Sequence, residues 1–113
     1  MDPIKIALWL DDKRPMPFDF GWDCDTRIHA LTAMQAINVL QGGKVDLVSL
    51  DHDLGDETKT GNGYQVACFI EEAAHNNSIP RLRWAVHSMN PVGALNMKIA
   101  LALADKYWMD HVV

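Results

Sequence analysis

Positive charge is what this 113-residue chain lacks most: ten lysines and arginines face fifteen aspartates and glutamates, a net charge of −5. Counterion release from nucleic acid, or adhesion to an anionic bilayer, needs a basic face. General nucleic-acid binding and membrane binding are therefore excluded, while a local pocket for one small anion is not. Cysteine is also scarce. Cys24 and Cys68 form no metal-ligand spacing and are expected as buried thiols in a reducing cytoplasm rather than as a disulfide. No apolar run is long enough to span a bilayer, and the first, residues 4–10, is short and interrupted by Lys5, so it reads as neither signal peptide nor membrane span. Repeats, low-complexity tracts and linkers are absent, which leaves residues 1–113 as one domain with one core.

What the chain does have is a set of short apolar runs that end in ionisable residues. The central one, residues 45–50 (VDLVSL), is rich in aliphatic side chains and reads as a buried strand of a parallel sheet. It runs directly into Asp51-His52-Asp53-Leu54-Gly55. Residues 4–10 (IKIALWL) run into Asp11-Asp12, and residues 82–86 (LRWAV) into His87-Ser88. A weaker strand is expected at residues 26–30. In open α/β sheets ligands bind in the crevice beyond the carboxyl ends of the strands, so these three tips suggest a single site.

Between the strands, Thr32-Ala33-Met34-Gln35 fits a capping box. Leu31, Met34, Ile37 and Leu40 repeat at helical spacing around it, a stripe expected to face the core, and Gly42-Gly43 closes the helix. Residues 55–63 (GDETKTGNG) read as a polar loop, and residues 64–74 as a helix with Tyr64, Ala67, Ile70 and Ala74 on one face. Asn90-Pro91 opens a last helix, expected to run to about Tyr107. Residues 13–25, with Pro15, Pro17 and Gly21, read as a loop. Its Phe18, Phe20 and Trp22 suit either packing on the core or a lid that stacks on a base or sugar. The order β, β, α, β, α, β, α predicts an α/β fold: a small, mostly parallel sheet of about four strands flanked by about three helices.

The strand tips carry the chemistry. Asp11 and Asp12, with Asp51 and Asp53, are candidate ligands for a divalent cation such as Mg²⁺ or Mn²⁺, because carboxylates crowded at one rim repel and call for a cation or a proton. If the first and third strands are neighbours, the two acid pairs lie roughly 5 Å apart. His52 and His87 are a candidate acid–base pair: imidazole gives and takes protons near neutrality, and two of them could flank a phosphodiester. Structural hydrogen bonding or metal ligation are the alternatives for each. His29, His75 and His111 read as surface or structural residues. Arg14 could hold phosphate bidentately or pair with Asp12. The helix start at Asn90-Pro91-Val92-Gly93, beside Ser88, offers backbone amides to an anion. Cys68 and Ser88 are poor nucleophile candidates.

These residues resemble the receiver domain of two-component signalling. On that match Asp11 and Asp12 are the metal-binding acids, Asp51 the phosphoacceptor position and Ser88 the small hydroxyl after the fourth strand. In detail the chain looks more like a divergent receiver-like group of the cyclic-phosphate-processing type. That group's LDDxRxP, LDHDLG and HSxNPxG patterns appear here as residues 10–17 (LDDKRPMP), 50–55 (LDHDLG) and 87–93 (HSMNPVG). The likeness spans about residues 4 to 105. It departs from a full receiver in having a proline-rich loop where a first helix would stand, and in lacking a fifth strand tipped with lysine and a fifth helix. Without that lysine ordinary phosphorelay at Asp51 is not expected, and the added His52 and His87 point toward acid–base work on a phosphate ester.

Three readings follow. The first is a cytoplasmic phosphoesterase-like enzyme acting on a cyclic phosphate or cyclic nucleotide. In it His52, His87 and Asp51 are catalytic, Arg14, Ser88, Asn90 and Gly93 bind the ligand, and Asp11, Asp12, Asp51 and Asp53 hold the cation. The second is a module that captures a nucleotide or other phosphorylated ligand without turnover. The third is a degenerate receiver used for protein–protein regulation. A truncated receiver leaves a sheet or helix face uncovered, which suits a homo-oligomer.

Overall fold

The strands sit where the apolar runs are longest. β1 (Ile6–Leu10) and β3 (Leu47–Leu50) are almost wholly buried, while β2 (Thr26–Ala30) and β4 (Arg83–Val86) carry polar or exposed residues. The sheet order follows from that difference. In a computed structural model, which describes residues 4–20 and 24–112, the strands pair in the order β2-β1-β3-β4, every pair parallel. The two most apolar strands occupy the centre, where both faces must be covered.

The helices are α1 (Ala33–Leu40), α2 (Glu57–Thr60), α3 (Gly63–His75) and α4 (Pro91–His111). α1, α3 and α4 bury one sheet face, where Leu8, Leu10, Val48 and Leu50 join Ala36, Leu40, Ile70, Met97 and Leu101 in the core. The expected α/β architecture is therefore present, with one helix more than anticipated: α2 forms inside the stretch read as a polar loop. Asp56 caps it by accepting the Thr58 amide at 3.0 Å. No helix among the described residues packs on the second face. Ala7 and Trp9 are nonetheless buried, and the segment after β1 folds back over them. Phe20 meets the Trp9 ring edge-on at 5.1 Å, and Trp9 Nε1 donates to the Arg14 carbonyl at 3.1 Å. Phe20 therefore packs on the sheet, whereas Phe18 is almost fully exposed. Trp22 lies outside the described residues. No helix is long and apolar enough to cross a membrane among the described residues.

The expected stripe on α1 packs only through Ile37 and Leu40. Leu31 and Met34 are exposed, and Ala33, Ala36 and Leu40 face the core. Small side chains let α1 approach the sheet closely, and that demand outweighs the larger apolar positions. Thr32 caps α1 through the Gln35 amide, but Gln35 Oε1 accepts from Leu31 N rather than from Thr32. The reciprocal capping box occurs instead at Asn62 and Gln65, at the start of α3. On α3 Tyr64 is likewise exposed, while Ala67, Ile70 and Ala74 are buried as expected. α4 runs past Tyr107 to His111, whose ring reaches the Ala74 and His75 carbonyls at the end of α3. Cys24 and Cys68 are free thiols, only half-buried.

The loop after β3 returns to the strand it left. Gly63 N donates to the His52 carbonyl at 2.9 Å, and Asp53 bridges Asn62. A Cβ on Gly63 would collide with the Asp51 carbonyl oxygen and lie 2.8 Å from Met97 Sδ. Gly63→Ala is therefore expected to destabilise the fold by about 1–3 kcal/mol through overpacking. A urea midpoint equal to that of the unmodified chain would show that α3 does not start against the β3 tip.

Candidate functional site

Register decides which residues meet. Leu10 is level with both Ala30 and Leu50, and Leu50 with Val86. The parallel ladder continues one residue further: Asp11 N bonds the Ala30 carbonyl, Asp51 N the Leu10 carbonyl and His87 N the Leu50 carbonyl, at 3.0–3.1 Å. Asp11, Asp51 and His87 thus stand side by side on three adjacent strands. Because side chains alternate along a strand, all three share the face of Trp9, Ser49 and Ala85, the face without helices.

Asp11 is fully buried, and a buried carboxylate must be fully hydrogen-bonded. Its Oδ1 accepts the Lys13 and Arg14 amides, each at 2.8 Å. Its Oδ2 meets Arg14 Nε at 2.9 Å and His87 Nε2 at 3.2 Å. Burial alone would raise the Asp11 pKa, but those two amides, together with the Arg14 charge, hold it below the ordinary value.

His87 is locked by the same network. An ionised carboxylate only accepts, so Nε2 carries the proton toward Asp11 and Nδ1 accepts from the Ser49 hydroxyl at 2.6 Å. The imidazole also stacks on Trp9, centroids 3.7 Å apart and planes 6° from parallel. Trp9 is in register with Ser49 and Ser49 with Ala85, and these two small residues let the indole lie across the sheet. Burial depresses the His87 pKa despite the opposing Asp11 charge, and so favours the neutral ring.

Asp51 has the opposite environment. Its Oδ1 accepts the His52 amide at 2.9 Å and faces an Arg14 amino group at 3.4 Å. Oδ2 has no hydrogen-bond partner among the described residues. Burial and the neighbouring Asp11 charge raise its pKa, only partly offset by Arg14. Arg14, half-exposed, thus bridges Asp11 and Asp51 rather than pairing with Asp12.

The remaining expected residues fall into two groups. Asp12 and Asp53 join Asp11 and Asp51 in lining a cavity of about 660 Å³, with Lys13 and Arg14 as its cationic wall and Gly55 and Met89 at the rim. His52 and Asn90 adjoin the cavity through Asp53, and Ser88 and Gly93 are bonded to Asn90. His52 Nδ1 bonds Asp53 Oδ1 at 2.8 Å, which with a longer contact from Asn90 lowers the Asp53 pKa. His52 Nε2 has no partner among the described residues. Asn90 caps α4 by accepting the Gly93 amide at 3.0 Å, and Ser88 Oγ accepts the Asn90 amide at 3.1 Å. Two of the amides expected to face an anion are therefore engaged in capping. Gly93 lacks a side chain because the His52 ring lies against its Cα; a Cβ there would overlap the ring.

Asp11, Asp12 and Asp51 each offer one carboxylate oxygen within 4.8 Å of the others. Three hard oxygen donors, one with an unpartnered oxygen and a raised pKa, fit a divalent cation such as Mg²⁺ or Mn²⁺. Asp53 is not in that group. Of the bonded residues, Ser49 and Trp9 were not foreseen, because each looks like an ordinary strand residue. Alternation would have placed both on the face of Asp11 and Asp51. Lys13 lines the cavity beside Arg14, and His29, expected to be structural, bonds the Asp11 carbonyl at 2.8 Å.

The raised Asp51 pKa has a consequence for stability. The folded chain holds this proton more tightly than the unfolded one, so stability falls as pH rises from 3.8 through the folded pKa. With chelator present, Asp51→Asn is expected to raise the thermal midpoint at pH 7 and to leave it unchanged below pH 3.8. A lower midpoint at pH 7 would show that the carboxylate is stabilising.

The family model described as cyclic-phosphate processing receiver domain matches residues 6–102. No curated protein and no solved structure matches the chain.

Proposed function

The chain belongs to the family of cyclic-phosphate processing receiver domains, and from that premise we propose that its strand-tip cavity binds a cyclic phosphate or cyclic nucleotide and opens the phosphodiester with water. The observation that carries the reading is the cavity itself: four carboxylates together with Lys13 and Arg14, in about 660 Å³, a volume suited to a small ligand. A cation held by Asp11, Asp12 and Asp51 would supply the positive charge that lets an acidic site accept phosphate. Arg14 supplies the second contact, since its half-exposed guanidinium can turn from Asp51 to a phosphate oxygen.

In the reaction water adds its oxygen to phosphorus, one ring P–O bond breaks, and the freed oxygen leaves as a hydroxyl. Asp51 takes the proton from water on Oδ1, the oxygen that Arg14 faces until it turns to the phosphate, and Oδ2 is left for the cation. His52 returns a proton to the leaving oxygen, Asp53 orienting it through Nδ1. His87 was expected to share the acid–base work. With both ring nitrogens bonded to Asp11 and Ser49, the part its geometry supports is positioning Asp11. Ser88, Asn90 and Gly93 serve by shaping the wall behind His52 and Asp53. The same engagement of His87 favours a second reading, in which the cavity captures the ligand without turnover.

The test is incubation with 2′,3′- and 3′,5′-cyclic nucleotides and Mn²⁺, followed by chromatography. Monoester is expected to appear, to vanish with chelator, and to form about 10²–10⁴-fold more slowly with Asp51→Asn or His52→Ala. Ligand recovered intact, with calorimetric binding lost in Asp51→Asn, would replace the enzyme with the capture module. Neither binding nor turnover would remove both.

A further inference from the structure

α4 is apolar on two faces. One packs inward through Gly93, Met97, Ala100, Leu101, Ala104 and Trp108. The other is turned to solvent: Val92, Leu95, Ile99 and Met109 are each more than half exposed, and Ala102 and Lys106 are exposed between them. A helix apolar all round is ordinarily covered all round. The outer residues also have a definite spacing. Positions 92, 95, 99, 102, 106 and 109 alternate steps of three and four, the a and d positions of a heptad seam, with one lysine.

We propose that this outer stripe of α4 is a homodimer seam, in which a second copy of the chain packs its own α4 antiparallel about a two-fold axis. The stripe is complementary to itself in that orientation. Val92 faces the partner's Met109, Leu95 the aliphatic stem of the partner's Lys106, and Ile99 the partner's Ala102, and the two-fold repeats each pairing. A symmetric dimer requires this kind of self-matching of one surface patch. Charge agrees with it. Lys98 and Asp105 flank the seam on the same side, and antiparallel packing brings each Lys98 near the partner's Asp105. Asp105 Oδ2 already takes the Trp84 indole N–H at 3.0 Å, which leaves Oδ1 for the lysine. A bilayer surface is a poorer match, because Lys98 and Lys106 are balanced by Asp105 and Asp110 and the stripe has no basic margin.

Sedimentation equilibrium of the full chain at tens of micromolar is expected to give twice the 12.7 kDa of one chain. Ile99→Glu should give a monomer with an unchanged circular dichroism spectrum, since the residue is half exposed and outside the core cluster. Orientation is read by mixing Val92→Cys and Met109→Cys variants under mild oxidation: the mixture should form a covalent dimer well above either variant alone. A monomeric parent chain, a dimer that survives Ile99→Glu, or cross-linking stronger in Val92→Cys alone would each overturn the proposal. So would co-sedimentation of the parent chain with anionic vesicles that Ile99→Glu abolishes, which would assign the stripe to lipid. None of these measurements depends on ligand or cation.

Discussion

A single buried carboxylate organises the strand-tip region. Asp11 has no exposed surface, and an ionised group in that position is tolerable only with partners for its oxygens. Two backbone amides, Arg14 and His87 are those partners. Each of these partners fixes something further. The amides of Lys13 and Arg14 shape the turn leaving β1, and that turn sends the following segment back over Trp9. His87 requires Ser49 on its other nitrogen and Trp9 beneath its ring. One charge thus sets the conformation of a loop, a histidine tautomer and the lining of the sheet face that has no helix.

Beside this closed network lies an open one. Asp51 is also buried, but it is only partly satisfied, and its neighbours push its pKa upward. The contrast is of a kind common at functional sites, where two carboxylates are held in environments that separate their behaviour. Asp11 has the electrostatics of a fixed structural anion. Asp51 retains an oxygen and a proton affinity that a ligand, a cation or a reaction could use, at the expense of stability. Arg14 spans the two acids and is exposed enough to exchange one of them for another anion.

The sequence made much of this visible. Apolar runs marked the strands, the acids and histidine after them marked the tips, and the three short motifs pointed to the family that the chain belongs to. The helix stripes were read less well. Leu31, Met34 and Tyr64 have helical spacing and apolar side chains, yet they face solvent while alanines face the core. Hydrophobic periodicity reports which side of a helix is apolar, but the closeness of helix to sheet decides whether large or small residues fit between them. α4 shows the same limit, since its sequence carries two apolar stripes and only packing chooses the inner one.

Sequence by itself determined the α/β class, the four strands, the caps at Thr32 and Asn90, and the acidic character of the site, because these follow from local propensity and from residue type. Only the tertiary structure decided that His87 faces inward to Asp11 and Ser49, that Arg14 bridges Asp11 and Asp51, and that Gly93 makes room for His52. The physical reason is register. Those contacts join positions up to 76 residues apart, and whether two such groups touch depends on how strands align and which face each side chain takes, quantities that no local stretch of chain contains.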